Sequence, residues 1–244
     1  MDFLTLVILT NSQKNLGYCV AGKEVFKRKD WQGVEGDWEA DRWIRLVTSD
    51  QKSKGAVFYP QLRYADGKYV ELLDIVKVPI LEPQPTKVQP ENHLIDEQGT
   101  WEKVGNWEKS ELNKLLDYPD NIWLEDGCNR TDIVNPDFFL KNNAQSLYFI
   151  ESPLLMVSMD DRHTDFDSSP KKKARARFEY NDENYYLPIT DPIVRKFLAN
   201  KNSSLDTETN KIKRNQKLCV SLGDLYDKTQ KHYKFVASIP GFDT

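Results

Sequence analysis

Phe3-Leu4-Thr5-Leu6-Val7-Ile8-Leu9 is an apolar run broken only by Thr5. Continuous hydrophobicity over so short a length suits a strand buried on both faces. A membrane-spanning helix needs about 20 apolar residues, which this run lacks. It also lacks the basic flank and small-residue cleavage site of a secretory signal. Reading outward, residues 18–22 form a second short apolar segment, and Trp43-Ile44-Arg45-Leu46-Val47-Thr48 is a third with β composition. Residues 69–81 hold Leu72, Leu73, Ile75, Val76, Val78 and Ile80, introduced by the turn signal Asp66-Gly67. Pro79 requires that strand to end, bulge or lie on an edge.

The C-terminal half returns to strand composition at 147–150, 154–159, 174–180, 185–189, 218–222 and 233–239. Two short helices are expected. One covers 110–116, with Ser110 as N-cap. The other opens on Asp191-Pro192, an N-cap followed by proline at the first helical position, with Ile193, Val194, Phe197 and Leu198 as its apolar face. Residues 200–217 are polar and read as a loop. Pro83, Pro85 and Pro90 stand in a polar stretch that reads as an extended connector, which divides the chain into 1–88 and 89–244. The fold class expected is mainly β, as barrels or sandwiches with short helices and long polar insertions.

The chain has 244 residues, 39% hydrophobic and 11% aromatic, enough for a folded core and too apolar for global disorder. With 34 basic against 38 acidic residues the net charge is −4, so any polyanion must be met by a local patch. Cys19, Cys128 and Cys219 are odd in number and widely spaced, which suits reduced thiols and a cytoplasmic location. No phosphate-binding or nucleophile motif is present: Gly22-Lys23 runs into Glu24 and Gly67-Lys68 into Tyr69. His93, His163 and His232 lie far apart, so no metal or cofactor is expected. The carboxylate cluster between Asp160 and Asp167 fails as a calcium loop, because a loop begun at Asp165 puts Pro170 at the glycine position and Ala176 at the bidentate glutamate position. It reads as a solvated loop.

Directly after it comes Lys171-Lys172-Lys173-Ala174-Arg175-Ala176-Arg177. Five of these seven residues are cationic. On a strand, Lys173, Arg175 and Arg177 share one face, while Ala174, Ala176 and Phe178 share the other. Such a stripe suits phosphates, with Tyr180 and Tyr186 near enough to stack on bases. It equally suits the solvated outer face of a hairpin turning at Asn181-Asp182. Asn11, Ser12 and Lys14 follow the first strand and form a candidate anion or small-ligand loop, or else an ordinary strand connection. Arg45, beside Trp43 in a strongly β segment, is either paired or on a solvent face.

An ordered set of short blocks resembles the dual OB-containing domain family of bacteria. The blocks are Leu9-Thr10-Asn11-Ser12 with Gly17-Tyr18-Cys19-Val20-Ala21-Gly22, then Trp43-Ile44-Arg45-Leu46-Val47-Thr48, Leu73-Asp74-Ile75-Val76, and Gln89-Pro90-Glu91-Asn92. They continue with Phe178-Glu179-Tyr180-Asn181, Ile189-Thr190-Asp191-Pro192, Leu218-Cys219-Val220-Ser221-Leu222-Gly223, and Tyr233-Lys234-Phe235-Val236-Ala237. Two positions depart from the family pattern: Tyr18 stands where arginine is usual and Leu46 where proline is usual. The resemblance implies two OB-like β-barrels, no established catalytic reaction, and a place in bacterial conflict or anti-phage systems. The leading expectation is a non-enzymatic module for single-stranded DNA or RNA. Lys171, Lys172, Lys173, Arg175 and Arg177 would meet phosphates, Trp43 and Tyr180 would stack, and Arg45 and Lys14 would support them. The alternatives are an adaptor docking a protein effector, and a nucleotide sensor or enzyme built on Asn11, Ser12 and Lys14.

Overall fold

The structure is a computed structural model that describes residues 2–14, 16–124, 131–137, 145–160, 173–201 and 211–242. The chain forms two compact units, Met1–Leu116 and Asp117–Thr244.

The first unit holds β1 (Asp2–Lys14), β2 (Gly17–Lys29), β3 (Glu35–Val47), β4 (Asp74–Pro83), β5 (Asn92–Ile95) and β6 (Glu102–Asn106). Strands β1, β2, β3, β5 and β4 pair in that order, and β4 pairs back onto β1, which closes a five-stranded barrel. The β3–β5 contact is parallel, with Arg45 opposite Asn92, and the others are antiparallel. This is OB topology. The apolar run that opens the chain is the centre of β1. Leu6 and Ile8 point into the barrel with Val20, Ile44, Leu46, Val76, Val78, Ile95 and Trp101. A bulge between Ile8 and Thr10 then shifts the register and sets Asn11 opposite the core residue Val20. Gly22 faces Ile8, and a Cβ there would overlap the Val7 carbonyl, so only glycine admits so close a strand approach.

The expected division between 88 and 89 is corrected. The prolines do not form a linker: Pro83 ends β4, and Pro85 and Pro90 stand in the connection from β4 to β5. It is tightened by Gln84 N–H donating to the Asn92 carbonyl and by Thr86 Oγ1 accepting from Gln89 N–H. β5 is the strand that closes the barrel, so a cut before it would remove the closure. Pro79 lies within β4 opposite Phe3, and the register slips just beyond it, between Ile80 and Glu82. The helix expected at 110–116 is a tighter 3-10 segment, Lys109–Leu115, with Leu112 and Leu115 buried; Ser110 lies inside it, and Glu108 at the N-cap position makes no side-chain cap bond.

The second unit holds β7 (Ile133–Val134), β8 (Leu147–Asp160), β9 (Lys173–Tyr180), β10 (Glu183–Pro188), α1 (Pro192–Lys201), β11 (Lys211–Leu222) and β12 (His232–Ser238). The sheet order is β10-β9-β8-β11-β12-β7, and the sheet curls into a half-barrel. Ile189, just past β10, makes a parallel bridge to Val236 of β12, the counterpart of the β3–β5 closure. Asn181 and Asp182 both take positive φ, the conformation a two-residue hairpin turn demands. The apolar pieces at 147–150 and 154–159 are one strand, because β11 runs opposite both. The loop expected at 200–217 ends early: Lys211–Gln216, although polar, pairs with β8 and so becomes strand. Asp191 caps α1 as expected. Its Oδ1 accepts from Ile193 and Val194 N–H, and its Oδ2 accepts from Ile239 N–H past the end of β12. Burial raises this carboxyl's pKa, while the three N–H donors pull it down. Among the described residues no helix is long and apolar enough to cross a membrane.

Candidate nucleic-acid interface

β9 and β10 of the second unit follow β8 as β2 and β3 follow β1 in the first, so they hold the places of the second and third OB strands. Their register tests the cationic stripe directly. Ala174, Ala176 and Phe178 are buried on one face of β9, and Lys173, Arg175 and Arg177 stand on the other. Tyr186 of β10 lies opposite Arg177, and on β8 Asp160 lies opposite Lys173. The guanidinium carbons of Arg175 and Arg177 are each 5.4 Å from the Tyr186 ring centroid. The Tyr186 hydroxyl donates to Asp160 Oδ2 at 2.6 Å. The three cations are not equivalent. Arg175 is buried and donates from Nη1 to Asp132 Oδ2 at 2.9 Å, leaving its Nε buried with no partner among the described residues. Lys173 is half-buried, and Arg177 is exposed. Lys171 and Lys172 lie outside the described residues.

The other expected site residues fall elsewhere. Tyr180 is buried, and its hydroxyl donates to the Pro119 carbonyl at 2.9 Å, so it has no face for a base. Burial raises its pKa. Trp43 is 6% exposed and sits beneath the Lys23 ammonium. Arg45 is 2% exposed; it donates to Glu91 Oε1 at 3.3 Å and to Cys19 Sγ at 2.9 Å. Of its two readings, pairing is the one found. Lys14 donates to the Lys54 carbonyl at 2.6 Å. Asn11 and Ser12 are not in a loop, because β1 continues through them to Lys14 and pairs with β2. Asn11 Nδ2 donates to the Val70 carbonyl, and Ser12 is buried. The small-ligand loop is therefore corrected to a strand end. The cause is the Ile8/Thr10 bulge, which carries β1 beyond the apolar run that marks it in sequence.

Three exposed aromatic features escaped sequence reading. Tyr59 and Tyr69 stack at 4.1 Å, with Tyr18 6.0 Å from Tyr59. Tyr69 borders a cleft of about 750 Å³ that also reaches Lys68, Trp101 and Lys103. The cleft's buried carboxylate, Asp74, is held by the Tyr64 hydroxyl, the Glu71 N–H and the Asn106 amide. Trp31 is 91% exposed in the turn between β2 and β3. The signal available for Trp31 was a tryptophan inside a polar turn sequence, Asp30-Trp31-Gln32-Gly33. Among the described residues no group of three or more histidine, cysteine or acidic side chains is placed to hold a metal ion.

The family model of the dual OB-containing domain matches residues 4–239. The chain belongs to this family. In the dual OB-containing domain the closed barrel and the half-barrel described above both lie within the matched span. No curated protein matches the chain.

Proposed function

We propose that this dual OB-containing domain is a non-enzymatic module that binds single-stranded nucleic acid along the outer face of β9 and β10. One observation carries the reading: exposed Arg177 lies against Tyr186, with Lys173 in line on the same strand face. OB barrels bind oligonucleotides on the face of their second and third strands, by stacking on aromatics and pairing with backbone phosphates. Asp132 and Asp160 offset part of the local charge, so Arg177 supplies the main phosphate contact. The setting proposed is a bacterial defence system, which rests on the family resemblance alone.

Fluorescence anisotropy of labelled single-stranded oligonucleotides across a salt series tests this. Affinity should fall steeply as salt rises, and Arg177→Glu should weaken it about tenfold at low salt. Binding that ignores both salt and Arg177 would overturn the reading.

A further inference from the structure

Strands β2 and β3 outrun the barrel. Their outer halves form a two-stranded arm in which Lys27 lies opposite Trp38 and Lys29 opposite Glu35. The arm ends in a built turn. Asp30 Oδ1 accepts from Gln32 and Val34 N–H, both at 2.8 Å, and Gly33 takes φ of 82°. Asp30 N–H donates to the Val34 carbonyl, and Gly33 N–H to the Asp30 carbonyl. These bonds fix the backbone on either side of Trp31, so the indole is held out in water.

An indole kept exposed on a fixed turn forgoes the gain of burial, and the other five tryptophans do not stand out this far. Trp43, Trp101, Trp107 and Trp123 are buried, and Trp38 is half-buried under the Lys27 ammonium. The stem just below Trp31 carries Lys27, Arg28 and Lys29 in succession. Lys27 and Lys29 share one carboxylate, Glu35, at 3.8 and 3.7 Å. Arg28 pairs with Glu39. The Asp30 carboxylate is committed to the turn. From Lys27 to Glu39 the arm carries three cations against four carboxylates, Asp30, Glu35, Asp37 and Glu39, with the cations gathered on the β2 side next to Trp31. Asp41 lies farther back, toward the barrel.

We propose that Trp31 is a stacking residue for an unpaired base, with the backbone phosphates on either side of that base met by Lys29 and Arg28. This deepens the nucleic-acid reading and rests on it, but it places a second contact on the first unit, independent of Arg177. A protein-docking tip would present a broader apolar patch. Here Val34 is the other exposed apolar residue of the turn, while Arg28 and Lys29, their side chains 73% and 64% exposed, remain accessible to phosphates.

The test uses the full chain and a single-stranded oligothymidylate, read by tryptophan emission and by anisotropy. Stacking on a base should quench the red-edge emission of Trp31 on titration. Trp31→Phe should lose that quenching with Tm unchanged, and Trp31→Ala should bind about tenfold more weakly. Three outcomes overturn the proposal. If oligonucleotide binds in an Arg177-dependent way while Trp31 emission stays constant, the arm fails and the β9–β10 reading stands. If no oligonucleotide binds, both fail. If Trp31 emission shifts to the blue with rising protein concentration and ignores oligonucleotide, a protein surface docks on the tip instead.

Discussion

Arg45 and Glu91 put a guanidinium and a carboxylate out of water together, with side chains 3% and 6% exposed. Neither charge has a solvent alternative, so each depends on its buried partners. Arg45→Met should destabilise the protein by about 3 kcal/mol in urea unfolding, because it removes the guanidinium that faces the buried Glu91 carboxylate. Adding Glu91→Leu should restore much of that loss, since a buried ion pair is often matched by apolar side chains of similar volume. A rim-exposed pair would show neither effect. Arg45 was visible in the sequence as a charge inside a strand segment. Its partner was not, because Glu91 is 46 residues away and is brought to it by the β3–β5 pairing. Trp43 and Tyr180 failed as stacking residues for a related reason. Aromatic identity is readable from the chain, but the face it turns to depends on pairing partners and bulges.

At the scale of single elements, α1 shows how one side chain ties a helix to a strand. Asp191 serves the helix N-terminus and the Ile239 N–H at once. Asp191→Ala should cost about 2 to 3 kcal/mol, the sum of a lost cap and a buried N–H left unbonded. Asp191→Asn should recover only part, since its amide can accept at one end but not at both. Thermal or denaturant unfolding of the three proteins would check the order. Asp191-Pro192 was readable beforehand because capping is local chemistry. The same holds for the Asn181-Asp182 turn and for the face assignment of Lys173, Arg175 and Arg177, which needs only the period of two. β11 was half missed for the opposite reason. Lys211–Gln216 has only Ile212 as a strong strand former, and it is strand because β8 supplies the ladder.

For the whole molecule, two barrels were legible in the number and spacing of apolar segments, but the border between them was not. Proline density marked the connection from β4 to β5, and a short connection inside a barrel carries the same composition as a linker. The division after Leu116 makes an experimental difference. A fragment of residues 1–116 should unfold cooperatively, with the near-ultraviolet circular dichroism of packed tryptophans. A fragment of residues 1–88 lacks β5 and β6 and should show neither. A cooperative 1–88 fragment would mean that β5 is dispensable to the barrel.

The parallel closures also bear on how the chain folds. Arg45 waits for Asn92, and Ile189 for Val236, so each barrel is completed by a segment made some 47 residues later in synthesis. Pairings this remote must overcome loop-closure entropy before they contribute, which slows folding relative to helical domains of equal size. On the ribosome the first barrel stays open until β5 clears the exit tunnel. During that interval β3 offers a bare edge, its apolar Ile44 and Leu46 uncovered, and this is the stage at which the nascent chain is most exposed to aggregation and most dependent on chaperones.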